Sequence, residues 1–206
     1  MLDVVSSITD DLNARVAGRV RGLRARHGLS LGALADASGV SRSMISLVER
    51  GEASPSAVVL EKLAVALDVS LASLFEPPAP AAGPLARAGD QPPWRDPGSG
   101  YVRRNVSPVG FPSPLQIVDV TFPPGARVAY ETGPRETLVH EQVWLLEGAI
   151  EVTVGDDAHR LAPGDCLAFV LDRPVVFHNP GDEPARYAVV LASGPVTRLD
   201  PAASRR

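Results

Sequence analysis

Leu29-Ser-Leu-Gly-Ala-Leu-Ala-Asp-Ala-Ser-Gly-Val-Ser-Arg-Ser-Met-Ile-Ser-Leu-Val-Glu-Arg-Gly51 is the stretch on which the reading of this 206-residue chain turns. Apolar residues recur at three and four, first Leu31, Leu34 and Ala35, then Met44, Ile45 and Val48, which is the period of a helix with one buried face. Ser30 is placed to cap one short helix and Gly39 to stop it. Ser41 then caps a second and Gly51 ends it. Ala35 is small enough for the two helices to cross closely, and Gly39 takes a turn conformation that a side chain resists. Two short helices joined in this way form a helix-turn-helix.

Outward from it, Leu12, Val16, Val20 and Leu23 mark a preceding helix that ends at Gly28. Ser54-Pro-Ser56 starts a fourth helix with Val59, Leu60, Leu63 and Leu67 on its apolar side. Ser70 caps a short fifth that reaches Phe75. The expectation is an all-α domain of five helices over residues 8–76. Residues 77–100 are rich in proline and glycine and read as an extended, partly stiff linker. Trp94 within it either docks on a domain or stands exposed.

Residues 101–198 change period. Leu115–Phe122, Gln142–Leu146, Ala149–Val154, Cys166–Leu171, Val175–Phe177 and Tyr187–Leu191 are apolar, β-branched or aromatic. Turn sequences such as Pro163-Gly-Asp165 and Asn179-Pro-Gly-Asp182 separate them. Short strands at this density predict an all-β sandwich or barrel. The tail 199–206 is expected to be disordered.

Composition narrows the class. Hydrophobic residues make up 45% of the chain, yet no apolar run approaches membrane-span length. The start of the chain lacks a basic-then-apolar signal pattern, and a cytoplasmic protein without membrane contact is expected. The single Cys166 rules out an intramolecular disulfide and reads as a small buried core residue rather than a redox sensor. Net charge is −4. Residues 1–76 hold eight basic and nine acidic side chains, so any DNA contact must come from a local patch.

That patch lies on the helix after Ser41. Ile45 and Val48 anchor it to the core, leaving Arg42, Ser43, Ser46 and Arg50 outward. A short helix with an Arg/Ser face suits the major groove of double-stranded DNA. Arg42 is placed to read guanine O6 and N7, and Ser41, Ser46 and Arg50 to hold phosphates. The alternative is ordinary solvated charge on a helical bundle.

Residues 16–75, and above all Ser41-Arg-Ser-Met-Ile-Ser-Leu-Val-Glu-Arg-Gly-Glu-Ala-Ser-Pro-Ser56, resemble the phage-repressor-like (XRE) family of regulators. The resemblance implies dimeric binding to an operator, with Ser41, Arg42, Ser43 and Leu47 at base-reading positions. Leu47 departs from the commoner polar residue there and either touches a thymine methyl or packs. The resemblance also implies that Arg24 pairs with Glu49.

Residues 115–193 resemble the cupin family, a double-stranded β-helix or jelly roll. Phe122-Pro-Pro-Gly125, Glu141 to Gly148, Leu161-Ala-Pro-Gly-Asp165 and Asn179 to Ala185 carry that likeness. Cupin metal ligands are three His and one Glu. Glu141 stands at the Glu position. Neither Glu131 and Gly133 nor Pro134 and Arg135 supplies the first histidine pair, and Val175 occupies the last histidine position. His140, His159 and His178 are off the motif, and a one-residue shift turns a strand side chain to the other face. No metal and no cofactor are expected.

What is left is a barrel with an apolar cavity. With Glu141 inward, alternation turns Val143 and Leu145 inward, and likewise Val175, Phe177 and Asn179. Glu141, Arg127 and Tyr130 are candidate polar contacts for an effector, with Val143, Val175 and Phe177 as walls. The alternative for Arg127 and Tyr130 is a solvated loop position. Trp144 and Leu146 make the same strand apolar on its other face, which suits a homodimer interface. The expected function is a sequence-specific, effector-responsive transcription regulator rather than an enzyme. The alternatives are a cupin enzyme with an accessory DNA-binding domain and an antitoxin-like DNA binder that holds a partner protein.

Overall fold

The computed structural model describes residues 2–75, 83–111, 113–131 and 138–193. The expected tail 199–206 and positions 133–135 lie outside the described residues. Four α-helices come first: α1 (Leu2–Arg26), α2 (Leu31–Ser38), α3 (Arg42–Glu49) and α4 (Ala57–Ala66). The three short helices each open on a serine. Ser30, Ser41 and Ser56 accept through Oγ from the N–H of Ala33, Met44 and Val59 at 3.0, 3.2 and 3.4 Å. At the end of α2, Gly39 takes φ +67° and donates its N–H to the Ala35 carbonyl, the left-handed stop for which glycine is suited.

The expected fifth α-helix is instead a 3₁₀ helix, Leu71–Phe75. Ser70 does cap it, its Oγ accepting from Ser73 N–H at 3.2 Å. Five residues leave too few i→i+4 bonds to favour the wider α turn, so the tighter repeat prevails.

Ten strands follow: β1 (Pro93–Arg95), β2 (Val102–Asn105), β3 (Leu115–Phe122), β4 (Arg127–Tyr130), β5 (Val139–Glu147), β6 (Ile150–Val154), β7 (Asp157–Leu161), β8 (Cys166–Val170), β9 (Val175–His178) and β10 (Ala185–Ser193). They form two antiparallel sheets, one in the order β1-β2-β3-β10-β5-β8 and the other β4-β9-β6-β7. On β5 burial alternates without a break from Val139 to Leu145, with Val139, Glu141, Val143 and Leu145 inward and His140, Gln142 and Trp144 outward. At the turn after β5, Gly148 has φ +76°. A Cβ there would stand 2.7 Å from the Pro184 carbonyl oxygen and 2.9 Å from Ala185 Cα, so only glycine lets β10 begin beside it.

The segment expected to be a linker is partly structure. Residues 93–95 pair with β2, with Trp94 opposite Arg103, and extend the large sheet at its edge. Pro93 is tolerated because it opens an edge strand, where a missing N–H costs no ladder bond. Trp94 is 2% exposed and packs on Phe75 with ring centroids 5.2 Å apart. The buried apolar residues of the helical and β domains therefore form one continuous core. Polar bonds join the domains as well. Asn105 Nδ2 donates to the Ala72 carbonyl at 3.0 Å, and Ser70 Oγ donates to Gln116 Oε1 at 2.7 Å. Lys62 Nζ lies 2.8 Å from Glu131 Oε2.

Asp96, just beyond β1, reaches further into the helical domain. Its Oδ1 accepts from Ala57 N–H at 2.8 Å, while its Oδ2 accepts from Ser99 N–H and Oγ, both at 2.7 Å. A buried carboxylate at the first turn of α4 satisfies a helix-terminal donor and complements the positive end of the helix dipole. Cys166, expected in the core, is exposed. It opposes Trp144 on the outward face of β5 and β8, because β8 is in register with β5 there.

Candidate functional site

The helix-turn-helix presents one face to solvent and locks the other. Ile45 and Val48 of α3 are buried, whereas Ser41, Arg42 and Ser43 at its start are exposed and Ser46 and Leu47 half-buried. Ser41 Oγ lies 3.1 Å from Ser43 Oγ while also capping the helix. The rear of α3 is held by Glu49, which accepts from Arg24 through both oxygens, Nε to Oε1 at 2.6 Å and Nη2 to Oε2 at 2.7 Å. Arg24 Nη1 also donates to the Leu29 carbonyl at 2.9 Å, so one guanidinium ties α1, the start of α2 and α3 together. Glu49 raises the Arg24 pKa chiefly through its hydrogen bond.

Arg50 is exposed but not free. It donates to both oxygens of Glu52, at 2.8 and 2.9 Å, and to Ser46 Oγ. The hydrogen bond from Arg50 holds Glu52 below the usual carboxylate range. Arg42 carries no such intramolecular clamp among the described residues.

The second site is a cavity of about 70 Å³ between the two sheets. Of the residues expected to line it, Glu141, Tyr130, Val175 and Phe177 do. Val143 is fully buried but is not part of the cavity wall. Arg127 is a correction: it is exposed on β4, because period-two alternation turns Val128 and Tyr130 inward and Arg127 outward. Asn179, also expected inward, is wholly buried but committed to backbone groups of its own loop and of the end of β3. Its Nδ2 donates to the carbonyls of Phe122 and Glu183 at 3.2 and 2.9 Å, and its Oδ1 accepts from Gly181 N–H at 3.0 Å.

Aromatic rings dominate the cavity. Tyr101 and Tyr130 bring their hydroxyls to 3.2 Å, and Phe177 stacks on Tyr187 at 5.7 Å. Burial pushes the phenol pKa of Tyr130 and Tyr187 well above the usual value and that of Tyr101 upward, so all three remain neutral hydrogen-bonding groups. Rings then run outward without a gap. Tyr187 touches Phe122, Phe122 touches Tyr101, Tyr101 touches Trp94, and Trp94 touches Phe75 of the helical domain.

Three buried polar residues of the cavity wall escaped the sequence reading. Arg103 on β2 is 6% exposed, with its Cζ 4.8 Å from the Phe75 ring centre. Glu61 is 7% exposed and comes from α4, and Ser70 precedes the 3₁₀ helix. Arg103 sits in the polar run Val-Arg-Arg-Asn, which has no strand signature, and Glu61 occupies a helix face that reads as solvated. Their burial follows from domain docking, which no local pattern reports. Among the described residues no group of three or more His, Cys, Asp and Glu is gathered as a metal site. His140 and His178 flank inward positions of β5 and β9 and so turn away from the cavity.

Residues 20–74 match the helix-turn-helix family and residues 118–191 the cupin domain family. The chain therefore belongs to the XRE-type transcriptional regulators that join a helix-turn-helix domain to a cupin domain. It is 27% identical to the HTH-type transcriptional regulator SutR of Escherichia coli (strain K12) over 165 residues, covering 80% of this chain and 87% of that protein. It is 29% identical to the HTH-type transcriptional regulator PuuR of the same organism, covering 78% and 85%. A solved HTH_3 family transcriptional regulator from Vibrio cholerae superposes with a TM-score of 0.71 at 25% identity, covering 91% of this chain and 99% of that one. No described helix is long and apolar enough to cross a membrane.

Proposed function

We propose that this regulator binds a two-fold-symmetric operator in the cytoplasm as a homodimer, reads it through the start of α3, and responds to a small molecule held in the β-domain cavity. One observation carries the reading of DNA. The buried face of α3 is fixed by Ile45, Val48 and the Arg24–Glu49 pair, while the unclamped Arg42 stands at its exposed first turn. A rigid helix with a free guanidinium at its N-terminal end suits bidentate contact with guanine, with Ser41, Ser43, Ser46 and Leu47 beside it on the DNA face. Arg50 is available to phosphate only by leaving Glu52.

The cavity suits binding better than catalysis. Its walls are largely apolar and aromatic, with Val175 and Phe177 among them, and Glu141 and Tyr130 are among the polar groups set into them. The cupin positions that would hold a metal carry Glu141 and Val175, and a lone carboxylate does not supply the imidazole set that a first-row metal prefers. We therefore assign no catalytic role, metal or cofactor. The dimer would form through the outward face of the large sheet, where Trp144 on β5 is 50% exposed and Ile117 and Leu115 on β3 are exposed as well.

The test is a genomic footprint of purified protein, repeated with Arg42→Ala. The variant should lose about 1–3 kcal/mol on the footprinted sequence, with little change on random DNA. Equal loss on both would make Arg42 a phosphate contact and overturn the base-reading role.

A further inference from the structure

Arg103 leaves a hydrogen-bond donor unused where the two domains meet. It is 6% exposed on β2, its Cζ lies 4.8 Å from the Phe75 ring centre, and its Nε–H is buried without a partner among the described residues. Arg103 also forms part of the cavity wall, together with Ser70 and Leu71 of the helical domain. Resting on the effector reading above, we propose that the cavity is a two-domain site for a small carbonyl compound, an amide, ketone or carboxylic acid, whose oxygen accepts from Arg103.

The donor sets the ligand class. A buried N–H without an acceptor is costly, and a ligand oxygen at hydrogen-bond distance removes that cost. A ligand that only donates, such as an ammonium, does not. Glu61 and Glu141 in the same wall already have interactions within the protein, whereas Arg103 Nε is left unmet. The neighbouring tyrosines add a donor of the same kind. The hydroxyls of Tyr101 and Tyr130 are 3.2 Å apart, so one proton fills that gap and the other hydroxyl keeps its proton for a second acceptor. Burial keeps both phenols protonated. Size limits the rest: about 70 Å³ holds roughly five waters, or a molecule of that bulk, and the largely apolar wall suits a short hydrocarbon body.

The position of Arg103 decides what binding reports. It pairs with Trp94 across β1 and β2, and Trp94 packs on the same Phe75 ring over which its guanidinium stands. A ligand held by Arg103 and resting on Leu71 would touch the sheet and the helical domain at once, beside the ring contact that joins them.

Calorimetric titration of the full chain with propionamide, propionate and propylammonium tests this. The three share a carbon chain, and the last lacks the carbonyl oxygen. Propionamide or propionate should bind at least about tenfold more tightly than propylammonium, as expected for one charge-assisted hydrogen bond. A lead for propionate places the natural ligand among acids and a lead for propionamide among neutral carbonyl compounds, and either bears out the class. Propylammonium binding as tightly as both, or no heat from any of the three at millimolar concentration, would overturn it. Arg103→Met should weaken the tighter binder by a similar factor. Unchanged affinity would overturn Arg103 as the anchor and leave the effector reading standing. If Arg103→Met does not melt cooperatively, Arg103→Lys keeps a cation near Phe75 while removing Nε–H and should show the same loss, with unchanged affinity again overturning the anchor. Leu71→Phe narrows the cavity from the helical side and should abolish binding in a protein that still melts cooperatively. Binding retained in Leu71→Phe would overturn the two-domain site.

Discussion

Trp94 and Phe75 meet with their ring centroids 5.2 Å apart and their planes inclined by 55°. One ring belongs to the first strand of the large sheet, the other to the last turn of the helical domain. Together they make the junction a packed contact rather than a hinge.

Trp94→Ala should therefore cost about 3–5 kcal/mol, the range for truncating a buried tryptophan. Differential scanning calorimetry should show a single transition in the parent protein and two in the variant, because the lost ring separates the domains. A single transition in both would mean that the remaining polar bonds suffice to couple them.

The Arg24–Glu49 pair is 19% and 8% exposed and doubly hydrogen-bonded. Removing one partner strands the other, so Arg24→Ala should destabilise the helical domain by about 3 kcal/mol. Replacing both with leucine should cost markedly less, since no buried charge is then left alone. Urea denaturation of the two variants decides this. A double variant as unstable as the single one would show that Arg24's bond to the Leu29 carbonyl carries the effect.

On the proposed reading, a DNA phosphate would have to draw Arg50 away from Glu52. Its carboxyl is held below the usual range by that arginine, so the clamp is closed above the ordinary carboxylate pKa and opens as pH falls through the lowered value. At neutral pH, Glu52→Gln should release Arg50 and strengthen DNA binding on all sequences alike. The slope of log affinity against log salt should steepen by about one phosphate contact. Salt titrations by fluorescence anisotropy would read it. An unchanged slope would remove Arg50 from the DNA contacts.

Trp144→Lys should weaken self-association without unfolding the chain, because the side chain is already half exposed on the outward face of β5. Sedimentation velocity at micromolar concentration should show a dimer for the parent and a monomer for the variant. A dimer in both would place the interface elsewhere.

Much of the helical domain was legible because its signals are local. Ser30, Gly39, Ser41 and Ser56 act within four residues of themselves, and spacing alone identifies Ile45 and Val48. In the barrel, β3 is found residue for residue and β5 in phase, since alternation from Glu141 to Leu145 has one buried solution. Four strands were missed. β7 is Asp-Ala-His-Arg-Leu with only its last residue buried, and β2 is mostly polar. Neither carries a period that marks it as a strand, since both owe their place to neighbours distant in sequence. The same cause hid Asp96, Glu61 and Arg103, whose environments exist only after α4 and the large sheet meet. Arg127 failed by one residue of phase.

The cap that Asp96 provides to α4 fixes where such a protein can be recombined. An exchange of DNA-binding domains between relatives, cut at the proline-rich boundary near residue 77, would leave Asp96 facing a helix it did not evolve with and Trp94 over an unfamiliar surface. A viable chimera must take residues 93–101 along with the helices, or bring matching partners for them. Inheritance in this architecture then follows the docking contact, and the apparent spacer travels with the reading head.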